Sequence, residues 1–167
     1  GTPLNRQAFV TFGDKSWGSV KLGKDIGIFA SDAILNDMTL LGVGAGAATS
    51  GAATTLGGIG TGYIYAAWKG QIAYTTPNFN GFQATVALTN PNQPFGVSRT
   101  VASGVYTEST VNQDRFGLEG KASYSFSGDA VNGKVWVSGA SYKTKALIDT
   151  ATLTNYEHTA SVADIGA

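Results

Sequence analysis

Charged side chains recur at alternate positions in the stretch DRFGLEGKASYSFS, residues 114–127. A strand with a two-residue period would place Arg115, Glu119 and Lys121 on one face and aromatic or aliphatic residues on the other. Three charged side chains on one face would be costly in a dry core, so this face must meet water. Groups of both signs on a wetted wall create a field that acts on nearby ions and dipoles.

Residues that break or form bonds in enzymes are sparse. The one histidine, His158, has no nucleophile motif beside it, and a second His or any Cys for a metal site is missing. The run GVGAGA, residues 42–47, lacks the strand, helix and downstream acid that a dinucleotide site needs. The sequence therefore predicts no enzyme activity, no catalytic residue, no metal site and no cofactor.

Composition excludes further classes. The 167 residues carry 11 basic and 11 acidic side chains, so no net field attracts nucleic acid. With 23 Gly and 13% charged residues, the chain resembles an all-β protein with many turns. No apolar run is long enough for a transmembrane helix, and the start GTPLNRQAF lacks the pattern of a signal peptide. If the protein is exported, we expect a mature chain or a fragment of one.

Two regions alternate most regularly, GQIAYTTPNFNGFQATVALTN (residues 70–90) and residues 114–127. The first predicts two strands joined by the turn TTPNFNG, with polar residues such as Gln71, Thr75, Gln83 and Thr85 on one face. The opposite, apolar face of both regions carries Ile72, Tyr74, Phe82, Val86, Leu88, Phe116, Leu118, Tyr124 and Phe126.

Other segments predict further strands. LNRQAFVTFG and SWGSVKLGK precede the regular regions, and NGKVWVSGASYKT and NYEHTASVADIGA follow them. In NGKVWVSGASYKT both phases contain apolar residues, and we assign Trp136, Ala140 and Tyr142 to the apolar face in preference to Val135 and Val137.

The predicted connections alternate in length. GDKS, TPNFNG and SGDAVN are short, whereas residues 25–65 and 91–113 are long and residues 145–154 are intermediate. This order is typical of transmembrane β-barrels, whose turns lie at one end and long loops at the other. Aromatic residues near strand ends, such as Trp17 and Phe79, fit an interfacial girdle, although aromatic residues favour strands in any protein.

Two motifs resemble the general trimeric porins of Gram-negative outer membranes. NRQAFVTFG-DKSWGSVKLGKD is similar to a porin hairpin with an early Arg and a strand ending in Leu-Gly-Arg or Leu-Gly-Lys. GQIAYTTPNFNGFQATVAL is similar to a later hairpin with Asn-Phe-Xaa-Gly-Phe in its turn. The resemblance covers Leu4 to Leu88 most clearly.

The resemblance implies a sixteen-stranded, water-filled transmembrane barrel that assembles as a homotrimer. It implies a multi-pass protein of the Gram-negative outer membrane, in contact with lipid and lipopolysaccharide, through which small hydrophilic solutes and ions diffuse passively. Residues 1–167 would be one partial barrel domain, an internal portion of a longer chain. Residues 25–65 would fold inward and narrow the pore.

The same resemblance implies which charges line the pore. The wall would supply Lys21, Lys24, Lys69, Arg115, Glu119 and Lys121, and the inward loop would supply Asp32 and Asp37. Each of these could instead be an ordinary solvated charge. The loop continues TLLGVGAGAATSGAATTLGG where many such porins have an acidic motif, so strong cation selectivity is not expected.

The competing class is a soluble β-sandwich that binds carbohydrate or another protein. It too would show short strands, aromatic residues and Gly-rich loops. A sandwich should be soluble without detergent, whereas a porin should partition with outer membranes.

Overall fold

The computed structural model describes residues 5–36, 66–90, 98–101, 104–107, 111–112, 115–149 and 154–167. Strands and one short helix account for most of them. In chain order these are β1 (Ala8–Asp14), β2 (Gly18–Ile26), α1 (Ser31–Leu35), β3 (Trp68–Thr75), β4 (Phe82–Thr89), β5 (Ser98–Val101), β6 (Gly104–Thr107), β7 (Val111–Asn112), β8 (Gly117–Ser127), β9 (Asn132–Asp149) and β10 (Thr154–Gly166).

Seven strands form one antiparallel up-and-down sheet in the order β1-β2-β3-β4-β8-β9-β10. β7 pairs with β9 beside this path, and β5 and β6 form a separate two-stranded sheet. The predicted all-β, up-and-down architecture is confirmed. Within the described ranges the sheet is open, because β1 and β10 each pair along one edge only.

One face of the sheet is apolar and exposed. Leu22, Ile72, Leu88 and Leu118 face one another in register across β2, β3, β4 and β8. Between 36% and 54% of each of these side chains is exposed. We call this the outer face. Exposed aliphatic side chains in a continuous row indicate that this surface meets something other than water.

The opposite face is buried and carries small or polar side chains. Ala73, Ala87, Glu119 and Ala140 lie in register across β3, β4, β8 and β9. Each is at most 6% exposed. We call this the inner face. Residues 27–36, which follow β2 and include α1, lie across it and account for its burial.

The connections alternate as predicted at most positions. Residues 15–17, 76–81 and 128–131 link strands at one end of the sheet, and residues 27–67 and 90–116 link them at the other. The intermediate loop predicted over residues 145–154 is wrong in its bounds. β9 continues to Asp149 and β10 begins at Thr154, because the two strands stay paired beyond their neighbours as a long hairpin.

The face predicted for β9 also needs correction. Val135 lies opposite Tyr124 on the outer face, whereas Trp136 and Tyr142 are buried on the inner face with Ala140. Both phases of this strand are apolar, so alternation alone could not choose between them. Gly166, opposite Trp136 on β10, leaves room for the Trp136 ring, because a Cβ at that position would overlap it.

Among the described residues, no helix combines the length and the hydropathy that crossing a membrane would require.

Candidate functional site

Residues 27–36 form a segment that packs directly onto the wall, and we call it the inward segment. Ile28 contacts Ala73 and Ala87 in one cluster of buried side chains. Phe29 and Ala30 join Ala140 and Tyr142 in another, on which Ala160 and Val162 also pack. The alanine side chains of the inner face are small, so the backbone of the inward segment can approach this face closely.

Glu119 is the polar centre of this contact. Its Oε2 accepts hydrogen bonds from the backbone N–H groups of Ile28 at 2.7 Å and Phe29 at 2.9 Å. Its Oε1 accepts from the ammonium of Lys69 and from the hydroxyl of Thr89 at 3.1 Å. An ionised carboxylate offers about four acceptor positions, and four donors fill them here.

Because Glu119 and Lys69 are buried, this arrangement is stable only when every hydrogen-bond and charge partner is present. The side chains of Glu119 and Lys69 are 0% and 6% exposed. A buried charge is tolerated only when its partner and its remaining hydrogen-bonding positions are satisfied. Losing one member of this group would therefore leave an unpaired charge beside the inward segment.

Gly27 is required where the inward segment leaves β2. A Cβ at this position would overlap the carbonyl oxygen of Ala66 and lie 2.5 Å from Cε of Lys69. It would also come within 3.1 Å of Glu119 Oε2. The absent side chain is what lets the Lys69–Glu119 pair sit directly under the segment.

A second anchor lies one strand further along the sheet. The N–H of Ala30 donates to the hydroxyl of Ser138 on β9 at 3.0 Å, and that hydroxyl donates to Asp164 on β10. Ala30 itself has φ of 58°, a left-handed conformation that is unfavourable for alanine. The wall contacts therefore hold the backbone in a bend that the sequence alone does not favour.

Asp32 joins the inward segment to two wall strands. Its carboxylate pairs with Lys121 on β8 at 2.8 Å and with Lys134 on β9. Lys121 also donates to the Ser31 hydroxyl at 3.2 Å. Burial alone would raise the pKa of Asp32, but hydrogen bonding and the charges of both lysines outweigh it and hold this pKa below its ordinary value of 3.8.

A third ion pair lies near the start of the segment. Lys21 and Asp25, both on the inner face of β2, are 2.5 Å apart, and Gln7 donates to Asp25 at 2.8 Å. This pair is less enclosed, since 32% of the Lys21 side chain is exposed. It extends the polar inner face toward β1.

The structure places five of the eight predicted pore charges on or against the inner face. These are Lys21, Asp32, Lys69, Glu119 and Lys121. Arg115 is exposed ahead of β8, and Asp37 lies outside the described residues.

The structure contradicts the predicted position of Lys24 on the pore wall. It lies opposite Ala8 and Gly70 on the outer face, in the phase of Leu22, and is exposed. Lys21 and Lys24 are separated by three residues, and a period of two places such residues on opposite faces. They cannot share the inner wall.

Sequence reasoning missed Lys134, Ser138 and Asp164. Lys134 and Ser138 share the phase of Trp136, so an outward Trp136 would place both of them on the outer face as well. The one sequence signal for Asp164 was the alternation in SVADIG of β10, which places Asp164 on the opposite face from the exposed Ile165.

The nine side chains predicted for the lipid-facing set are all exposed, between 37% and 63%. Eight of them lie on the outer face of β3, β4 and β8, and Phe116 precedes β8 in the same phase. No grouping of three or more His, Cys, Asp or Glu suited to a metal occurs in the described part of the chain.

A family model described as Gram-negative porin matches residues 1–166. No curated protein and no solved structure gives a significant match. The family match therefore covers both the sheet and the inward segment on its inner face.

The first prediction concerns the buried carboxylate. Glu119→Gln should lower the free energy of unfolding by about 3–5 kcal/mol, because the Lys69 ammonium loses its buried counter-charge. Urea unfolding of the full chain in detergent micelles, followed by Trp fluorescence, measures this. Lys24→Gln, which removes an exposed lysine from the outer face, is the control and should change the free energy of unfolding by at most about 0.5 kcal/mol. Equal costs for the two variants would contradict a special role for Glu119.

The second prediction concerns acid. Because the pKa of Asp32 is lowered in the folded protein, its stabilising contribution is complete above about pH 4 and is lost as pH falls through the lowered pKa. Asp32→Asn should therefore be less stable than the parent at neutral pH, and the difference should shrink below about pH 4. Urea midpoints across this range measure the difference. A difference that stays constant with pH would refute the assignment.

Proposed function

The chain belongs to the Gram-negative porin family. From that premise we propose that it forms the wall and the constriction of a pore through which small hydrophilic solutes and ions diffuse passively. The family is one of outer-membrane channels and not of enzymes. A porin carries out no bond chemistry, so the width of the pore, its lining groups and their field determine what passes.

The observation that carries this proposal is the division of the sheet into two faces. The outer face exposes a row of aliphatic side chains, and the inner face is polar, charged and partly covered by the inward segment. Strands that alternate apolar outward and polar inward are the pattern of barrels that enclose water in a membrane.

We assign the outer face to outer-membrane lipid, lipopolysaccharide and neighbouring barrels. The seven strands would be part of a sixteen-stranded barrel that crosses the membrane repeatedly, with three barrels per assembly. The unpaired edges of β1 and β10 in the described sheet would then pair with further strands, as closure requires.

Residues 25–65 are proposed as the loop that narrows the pore. The support comes from residues 27–36, which Glu119, Ser138 and the two lysines of the Asp32 cluster hold against the inner face. A loop held this way occupies space that an unobstructed lumen would leave to water.

A soluble sandwich is less well supported. It would need a second layer over the outer face, and the side chains of that face are exposed along β3, β4 and β8. Its polar inner face would also be an unusual sandwich core, given the buried ion pair of Lys69 and Glu119.

The third prediction tests the pore and its orientation together. Single cysteines are introduced at Gln83, on the inner face of β4, and at Val86, on its outer face; the chain has no native Cys to interfere. The full-length protein in a planar bilayer should conduct in steps of three. A bulky water-soluble thiol reagent should lower the conductance of Gln83→Cys and leave Val86→Cys unchanged.

Two results would overturn the proposal. One is an absence of conductance from folded, inserted protein, and the other is a response of Val86→Cys with none from Gln83→Cys. Asp129→Cys, at an exposed turn, is the positive control for labelling.

A further inference from the structure

One aromatic side chain on the inner face is open to water. Phe9 lies opposite Gly23 on β2, and Gly23 lies opposite Gln71 on the inner face of β3. Phe9 is 45% exposed. Among the strand residues of the inner face that the structure describes, it is the only large apolar residue that is exposed. The other exposed large apolar residues of the described strands lie on the outer face.

The inward segment leaves this part of the wall uncovered. Its described hydrogen bonds and packing contacts with the wall are to β3, β4, β8, β9 and β10. Every residue of β1 is exposed. In a closed barrel, a further strand would pair with the free edge of β1. That strand would lie about 4.8 Å to the side, so it would not cover the surface of Phe9 that faces the lumen.

A polar group lies beside the ring of Phe9. The Lys21 ammonium is 4.7 Å from the ring centroid, within the range of a cation–π contact. It also pairs with the carboxylate of Asp25 at 2.5 Å, so the two charges balance. An ammonium has three N–H donors, and Asp25 takes one of them. A further donor is therefore available to a polar group on a solute that contacts the ring.

We propose that Phe9 and Lys21 form a binding subsite on the pore wall for small aromatic solutes that carry a carboxylate or hydroxyl group. The ring of the solute packs on the exposed surface of Phe9, and its oxygen accepts a hydrogen bond from Lys21. This inference rests on the proposed function and adds a class of solute to it. Contact between two aromatic rings strengthens binding about 2- to 12-fold beyond the effect of the buried area.

The test compares benzoate with cyclohexanecarboxylate, which has the same charge and a similar size but no aromatic ring. Each is added at increasing concentration to the full-length protein while it conducts potassium chloride in a planar bilayer. The measured quantity is the concentration that gives half of the maximal reduction in conductance. In the parent protein this concentration should be about 2- to 12-fold lower for benzoate. Equal concentrations, or no reduction by either solute, would overturn the inference.

Variants of two phenylalanines on β1 assign the effect to the inner face. Phe9→Leu keeps an apolar side chain but removes the ring, so the two solutes should become equal. Phe9→Tyr keeps the ring and should keep the preference for benzoate. Phe12→Leu is the matched control, because it removes an exposed ring from the outer face of the same strand and should leave the preference unchanged.

Two results with these variants would also overturn the inference. One is a preference for benzoate that persists in Phe9→Leu, and the other is a loss in Phe12→Leu as large as in Phe9→Leu. Absence of potassium chloride conductance in the parent protein would instead overturn the proposed function.

Discussion

A buried carboxylate sets the conditions for the rest of this structure. Glu119 takes its four hydrogen bonds from three separate parts of the chain: the Ile28 and Phe29 amides of the inward segment, Lys69 on β3 and Thr89 on β4. Such a group is favourable only when complete, since an unpaired charge in the same place would be strongly destabilising. The inward segment is therefore fixed to the wall by the need to satisfy a charge, as well as by apolar packing.

Small residues make this contact geometrically possible. Gly27 allows the chain to turn off β2 directly over Lys69, and alanines on β3, β4 and β9 leave room for Ile28 and Phe29. Larger side chains would lift the segment and separate its amides from Glu119. The small side chains of the inner face and the buried carboxylate of Glu119 are thus two parts of one arrangement. The lysines that pair with Asp32 extend this arrangement toward solvent.

Alternation in the sequence was enough to predict β3, β4 and β8, the exposed apolar set and the shared face of Glu119 and Lys121. It failed where the pattern was ambiguous or misapplied. β9 has apolar residues in both phases, so the pattern places Trp136 on the wrong face and gives no signal for Lys134. Lys21 and Lys24 are three residues apart, so they cannot both line the inner wall. The partners of Glu119 had no sequence signal, because two of them are backbone amides about ninety residues away. Such contacts follow from how the inward segment lies on the sheet, which local patterns do not specify.

Amide hydrogen exchange at Ile28 and Phe29, in the folded full-length protein, tests the central claim most directly. If Glu119 holds the inward segment, these two amides should be protected to the same degree as the paired amides of β8, since their hydrogen bonds are buried. Exchange as fast as at the exposed turn around Asp129 would show that the segment is not held against the wall and would contradict the account.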